Sequence, residues 1–519
     1  MHLLEIADQS LPASLAKHLV GIKRGIEKES LRIQPDGYIS QQNHPHALGA
    51  TLTNPHITTD YSEALPEFIT GASSDRLQPL AELMEIHQFA YQNLENSELL
   101  WAMSMPCVMG EENDIPIARY GHSNSGRMKE IYRMGLGLRY GRFMQTIAGV
   151  HYNFSLPESF WQALHQSENS EMPLQDFISQ KYMGLIRNYL RFSWLIPLFF
   201  GASPALCESF IKDKNIDLEQ LVPGTRYGRF ATSLRMSDLG YQNNAQSGLS
   251  VNYNCLNEYI KGLEDAISTP DPYYQEIGVT RNGDYQQLNA NVLQIENEFY
   301  SSIRPKRVSV SGERPTKALR NRGIEYIEVR ALDLNPFSPI GIDQSQIAFL
   351  DSLLLACLFA KSEPINPREK GEYQSNFKTI VSKGRHPDCC LTMNNGCVPV
   401  NEVATELMSQ IEPYAALLDK VYQTNDHGDV LSKLRTQLSD LDKTYSGRIV
   451  KSIEQRQDGF FPYAMEIAQA HKAFFEKEKL NTERLSHYQQ EATLSHQKKL
   501  DIENSDTKSF EEFLAHYYE

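Results

Sequence analysis

The sequence predicts an α+β fold built on a mostly antiparallel sheet. Three observations carry that reading. Strand-like segments dominate two blocks, from about residue 21 to 70 and from about residue 145 to 330. Helical patterns fill the space between and after them. The polar gaps are short, with no internal repeat and no low-complexity stretch, so strands and helices belong to one integrated body. We expect a main body over residues 1–345, opening on a helix over 1–20, and a mostly helical region over 346–519 packed on the same body.

The elements follow in chain order. MHLLEIADQSLPASLAKHLVG reads as an amphipathic helix; it lacks the basic stretch and apolar core of an export signal. GIKRGIEKESLRI, from Gly21, alternates in part and is rich in isoleucine, which predicts a strand. Pro35-Asp36-Gly37 makes a turn, and Tyr38-Ile39-Ser40 begins the return. PHITTDYSEALPEFIT, from Pro55, gives a short strand, an irregular stretch and a second strand. QTIAGVHYNFSL, from Gln145, has the clearest strand pattern: Gly149, His151, Asn153 and Ser155 form a small or polar face, and Ala148, Val150, Tyr152 and Phe154 an apolar one. KYMGLIRNYLRFSWLIPLFFG, from Lys181, predicts a helix that stops near Pro197–Gly201. VLQIENEFY, from Val292, and IEYIEVRALDL, from Ile324, predict two more strands. After about Gln344 the pattern turns helical, and from His471 it is highly charged, as in a solvated outer layer.

Composition narrows the function classes. Fifty basic residues against 65 acidic ones give a formal charge of −15, which argues against a nucleic-acid binder. The apolar run from Trp194 is broken by Pro197 and Pro204, and the one from Ile347 carries Asp351. Both fall short of the ~20 apolar residues that span a bilayer, so no membrane partner is expected. The seven cysteines show no C-x-x-C pair, and reduced thiols in a cytoplasmic protein are the simplest expectation. The cluster Cys389, Cys390 and Cys397 stays open to a regulatory disulfide or a reactive thiol.

The chemistry lies in carboxylates two apart. Glu27 and Glu29 share one face of a predicted strand, as do Glu296 and Glu298, and as do Glu328 and Arg330. Asp60 and Glu67 flank another segment, and His151 sits on the polar face of a fourth. One such pair alone more often means an exposed strand face. Several strands all presenting acids do not, because like charges side by side on a sheet repel. Converging in one cleft they call for divalent cations: magnesium, or manganese, which also accepts an imidazole. Basic residues lie close by. SSIRPKRVSVSGERP, from Ser301, carries Arg304, Lys306, Arg307 and Arg314 and reads either as a mobile polyphosphate-binding loop or as a solvated one. RYGHSNSGRMKEIYR, from Arg119, and ATSLRMSDLGYQNNAQSG, from Ala231, read as substrate loops; Arg235 in the second is a candidate carboxylate clamp, although an isolated loop arginine is more often structural or solvated. No P-loop, dinucleotide fingerprint or nucleophile elbow is present. The residues alone point to a metal-assisted enzyme lined with arginines, suited to phosphoryl transfer from ATP to an anionic acceptor.

The same segments resemble the glutamate–cysteine ligases of the gamma-proteobacterial type. The matching stretches are GIKRGIEKESLRI, ITTDYSEALPEFIT, LWAMSMPC, MQTIAGVHYNFSLP, RNYLRFSWLIPLFFGASPA, TSLRMSDLGY, VLQIENEFYSSIRPKR and GIEYIEVRALDLNPFSPIG, in the family's order from about residue 20 to 345. The resemblance implies a glutamine synthetase-like catalytic domain, its curved antiparallel sheet forming a funnel. It implies that ATP phosphorylates the side-chain carboxylate of glutamate and that the cysteine amine attacks the γ-glutamyl phosphate, the first step of glutathione synthesis. Carried over by motif, Glu27, Glu29, Asp60, Glu67, His151 and Glu328 are metal ligands. Arg235 and Arg330 hold glutamate and stabilise the transferring phosphoryl group. Tyr132, Arg133, Tyr241 and Tyr300 surround cysteine, and Arg304 and Lys306 are offered as ATP contacts. Tyr61 follows Asp60 where the family pattern has phenylalanine, a departure that bears on the cysteine pocket. The expected partners are glutamate, cysteine, ATP and Mg2+ (or Mn2+), and a cytoplasmic monomer is expected. The rivals are a ligase for another amine, a bifunctional enzyme, which needs a further ATP-grasp domain the remainder is too short to hold, and an inactive binding protein, against which all six ligands are present.

Overall fold

The computed structural model describes residues 13–212, 216–240, 246, 248–249, 251–310, 312–394 and 396–519. Most of the segment expected as the first helix therefore lies outside the described residues, which begin on a short helical turn, Ala13–Ala16.

Six strands form the central sheet: β1 (Lys23–Glu29), β2 (Ile57–Thr59), β3 (Pro66–Ile69), β4 (Gly149–Ser155), β5 (Ile303–Lys306) and β6 (Tyr326–Asp333). Their order is β5-β6-β4-β1-β3-β2, and every neighbouring pair is antiparallel. This is the antiparallel α+β sheet that the alternation predicts. Ile26, Phe68, Val150, Tyr152, Phe154, Ile327 and Val329 fill its rear face and are all buried in the main core. The polar residues between them are thereby forced onto the front. The register slips between Val329 and Leu332, a β-bulge at Arg330, and such bulges re-aim a side chain near a site.

Among the helices are α1 (Gln78–Asn93), α2 (Asn124–Tyr140), α3 (Leu174–Phe192), α4 (Leu195–Phe200), α5 (Gln344–Phe359), α6 (Pro367–Lys383), α7 (Val400–Tyr422), α8 (Asp426–Leu438), α9 (Tyr445–Arg456), α10 (Phe460–Lys477), α11 (Thr482–Ser505) and α12 (Phe510–Tyr518). Local chemistry sets several ends. Ser123 caps α2 by accepting from the Gly126 amide, and Asp343 with Gln346 forms a capping box on α5. The run from Lys181 is not one helix. It begins earlier, at Leu174, breaks at Ser193–Trp194, and resumes as α4, where Pro197 is tolerated in the first turn. Behind the sheet, Asp351 of α5 accepts from Arg24 at 2.8 Å and from the Tyr152 hydroxyl at 2.6 Å. The acid that argues against a membrane span thus ties α5 to β1 and β4.

Two sequence expectations are corrected here. VLQIENEFY is not a strand: Glu296–Glu298 is a single 3-10 turn. Residues two apart on such a turn, at three residues per turn, diverge instead of sharing a face. RYGHSNSGRMKEIYR is a loop only as far as Ser123, and its second half is α2. The region after Gln344 is helical apart from a hairpin, Cys390–Met393 with Gly396–Pro399, in which Cys390 and Cys397 form a disulfide.

Candidate active site

The front of the sheet gathers the predicted acids by register. Glu27 lies opposite His151, Glu29 opposite Glu67, and Glu328 opposite Asn153 and Arg304. His151 sits at the centre. Its Nδ1 stands 3.4 Å from Glu27 and 3.7 Å from Glu328, and its Nε2 stands 3.6 Å from Glu29. Donor atoms of Glu27, Glu67 and His151 lie within 4.8 Å of one another. Asp60, in the irregular stretch after β2, adds its charge to Glu29 and Glu67.

The electrostatics are those of a site short of positive charge. Burial first, and then Asp60, push Glu29 up to about 8. Burial, with Glu27, Asp60 and Glu29 behind it, raises Glu67 well above the carboxylate range. Glu328 behaves oppositely. Burial would raise it, but Lys306, Arg330 and His151 outweigh that and hold it low. Burial and Arg330 lower His151, keeping its imidazole neutral and able to donate a lone pair. The buried Glu328 Oε2 and His151 Nε2 have no hydrogen-bond partner among the described residues. A hard-oxygen donor set with one imidazole and unspent lone pairs fits Mg2+ or Mn2+.

Cations border the acids. Arg330 Nη1 reaches Glu328 at 3.2 Å and His151 at 3.3 Å, and Lys306 stands 3.5 Å from Glu328. Arg235 is fully buried and donates to the Arg330 carbonyl at 3.1 Å. A Cβ on Gly149 would overlap the Arg235 guanidinium, so any larger residue there would push that side chain out of place. Asp333 fixes the Arg235 loop by accepting from Ser203 at 2.7 Å, Ser233 at 2.9 Å and the Ala202 amide at 2.8 Å. Neither Asp333 nor Gln145, whose amide reaches the Tyr300 hydroxyl at 3.1 Å, is singled out by the sequence. Asp333 lies beyond a bulge that spacing does not reveal, and Gln145 precedes its strand on a 3-10 turn.

The other predicted residues divide. Tyr132 and Arg133 are on α2, and Arg133 donates to the backbone carbonyl of Asp60. Tyr300 follows the 296–298 turn. Tyr241 lies outside the described residues. Arg304 and Lys306 belong to β5 and not to a loop, and the Arg304 guanidinium donates to the Asn297 and Phe299 carbonyls. Glu298 is structural: it accepts from Arg139 at 3.0 Å, Tyr140 at 2.8 Å and the Gln294 amide at 2.6 Å. Glu296 accepts from Thr316 and faces Arg314 at 3.5 Å. At the opposite end of the sheet, where β1 starts and β4 ends, a cavity of about 770 Å³ opens beside Glu27, with Lys23 and Arg307 at its polar side and Trp161 and Ile178 at its apolar side.

The fold and the cleft define the class: a carboxylate–amine ligase of glutamine synthetase-like build, with acids at mid-sheet, arginines at one end and an open cavity at the other. The profile of the glutamate–cysteine ligase family matches residues 9–380, and the chain belongs to that family. A glutamate–cysteine ligase of Alcanivorax borkumensis is 47% identical over 526 residues, covering 100% of this chain and 99% of its own. One of Pseudomonas paraeruginosa is 46% identical, covering 95% and 93%. The crystal structure of a Francisella tularensis glutamate–cysteine ligase in complex with AMP superposes with a TM-score of 0.90 at 34% identity, covering 96% of this chain and 97% of that one. The bifunctional glutathione synthetase of Pasteurella multocida, at 23% identity and a TM-score of 0.71, covers 89% of this chain and 54% of that one and shares the fold.

Proposed function

We propose that the chain joins the side-chain carboxylate of glutamate to the amine of cysteine at the expense of ATP, giving γ-glutamylcysteine, ADP and phosphate. The observation that carries this is the two-ended cleft. Five ligand-type side chains, Glu27, Glu29, Glu67, His151 and Glu328, meet at mid-sheet, and Asp60 adds its charge to Glu29 and Glu67. Buried Arg235 and partly buried Arg330 lie at one end and the cavity beside Glu27 at the other. ATP enters through the cavity, with Lys23, Arg307 and Lys306 nearest its phosphates; the AMP-bound relative supports nucleotide use. Arg304, whose Nη2 donates to the Asn297 and Phe299 carbonyls, steadies the turn that leads into β5 on this side of the cleft. Residues 1–345 carry the catalytic body, and 346–519 pack on it, α5 behind the sheet and α12 against α2.

Arg235 and Arg330 hold the glutamate carboxylates, and Tyr132, Arg133 and Tyr300 enclose cysteine; Tyr241, expected beside them, lies outside the described residues. A γ-carboxylate oxygen displaces ADP at the terminal phosphorus. The cysteine amine then adds to the acyl carbon, phosphate leaves, and the ammonium proton passes to solvent. Bound divalent cations would neutralise phosphate oxygens during both steps. The protein contributes alignment, and Arg330 places positive charge beside the acceptor oxygen without reorganising.

Incubation with glutamate, cysteine, ATP and Mg2+ should release ADP and phosphate only when both amino acids are present; release with either one missing contradicts the assignment. Replacing Glu328 by Gln removes a ligand charge at nearly constant shape. We expect kcat/KM to fall about a thousandfold with the circular dichroism spectrum unchanged; near-normal turnover removes Glu328 from the site.

A further inference from the structure

The acceptor side of the cleft rests on a small core separate from the main one. Met128 and Ile131 of α2, Leu288 and Ile295 of the segment before β5, and Phe510 and Leu514 of α12 pack together. The Arg127 guanidinium lies 4.6 Å from the centre of the Phe510 ring. A polar seam runs along this contact. Gln294 donates to the Tyr132 carbonyl at 3.1 Å, and its own carbonyl accepts from the Tyr518 hydroxyl at 2.8 Å. Asn289 donates to Tyr518 at 2.7 Å, and Arg314 donates to the Tyr518 carbonyl at 3.1 Å. A Cβ on Gly135 would collide with the Gln294 amide, so α2 lies as close to this seam as its backbone allows. Beyond it, Glu298 joins Arg139 and Tyr140 of α2 to the turn that leads to Tyr300. Gln246 donates to the Tyr140 hydroxyl and accepts from the Tyr300 amide.

The two elements that carry Tyr132, Arg133 and Tyr300 are therefore pinned to each other and to α12. The other parts of the cleft have different supports: Asp333 holds the Arg235 loop, and α5 holds β1 and β4 from behind. We propose that α12 is a positioning element of the acceptor-amine pocket, with Phe510 and Tyr518 the residues through which it sets selectivity for the small thiol side chain. This rests on the reading that Tyr132, Arg133 and Tyr300 enclose cysteine. A pocket for a side chain that small discriminates by shape, and one methylene's worth of misfit shifts discrimination by about tenfold or more. A wall backed by a satellite core loses part of that fit when the core loosens.

Steady-state kinetics in the full chain, with each substrate varied in turn, tests this. Phe510→Ala should raise the KM for cysteine about tenfold and shrink the preference for cysteine over 2-aminobutyrate, while the KM values for ATP and glutamate stay within about twofold. Tyr518→Phe, which removes only the hydroxyl, should show the same pattern at about threefold, and Phe510→Leu should restore most of the loss. An unchanged cysteine KM in both Phe510→Ala and Tyr518→Phe overturns the inference. So does an equal rise in all three KM values, which would mean general loosening. Arg133→Ala separates the two layers of argument. If it leaves the cysteine KM unaltered, the pocket assignment fails and the inference falls with it. If it raises that KM and the α12 variants do not, only the role of α12 falls.

Discussion

Tyr61 shows how a single atom can matter where the backbone motif is intact. Its side chain is buried at 1% exposure, and its hydroxyl lies against Gly137 with no hydrogen-bond partner among the described residues. Burial raises its pKa, so the group stays neutral. A buried hydroxyl that has lost water and gained no partner costs about 1–3 kcal/mol. Tyr61→Phe should therefore raise stability by about 1 kcal/mol, read as a higher urea midpoint at unchanged slope. A lower midpoint would mean that the hydroxyl is satisfied. The glutamates teach the complementary lesson. Glu27 with Glu29 and Glu296 with Glu298 have the same spacing, and only the first pair lies on a strand. The second lies on a 3-10 turn and braces α2 through Arg139 and Tyr140. A two-residue spacing is legible as a shared face only once the backbone is known to be extended.

At the scale of elements, the sheet was legible and its supports were not. Alternation in GVHYNFS and in YIEVRALD is a local signal, so β4 and β6 could be read directly. Registry between strands is not local. That Glu29 faces Glu67, 38 positions away, follows only from the antiparallel pairing of β1 with β3. The rear brace is equally hidden. Arg24 is fully buried, and it meets Asp351 at 2.7 Å and Tyr422 at 2.9 Å, 327 and 398 positions along the chain. Such a pair repays its desolvation only while both partners are present. Asp351→Asn should cost about 3–5 kcal/mol by leaving the guanidinium unpaired, whereas Arg24→Met with Asp351→Leu should recover most of that. A double-mutant cycle in denaturant measures the coupling, and additive losses would show that α5 and β1 are held by packing alone.

At the scale of the whole molecule, one buried titrating cluster joins the rear of the catalytic sheet to the outer helices. Lys28, between two front-face glutamates but pointing backward, contacts His87 of α1 at 2.9 Å, and His471 of α10 lies on its other side. Burial brings Lys28 down to about 7. Burial, and then Lys28, depress His87 well below its usual value and bring His471 down to about 4. His87 also faces Phe68 and Phe475 and spends its Nδ1 on the Leu83 carbonyl at 2.7 Å, and among the described residues no carboxylate pairs with it. The sign follows from which state takes the proton. Unfolded histidine titrates near about 6.5, so below that pH the unfolded chain gains protons that the native cluster refuses. The stability these histidines supply is complete above about pH 6.5 and is lost as the pH falls toward 4, at up to about 1.4 kcal/mol per pH unit for each. Thermal unfolding followed from pH 7 to 4.5 should show a steep fall in Tm, and His471→Gln, which keeps a donor for the Pro336 carbonyl, should flatten it by one proton's worth. The same slope in that variant would place the acid sensitivity elsewhere, in carboxylates such as Asp351, whose burial would raise it but which Arg24 and its hydrogen bonds hold below the usual range.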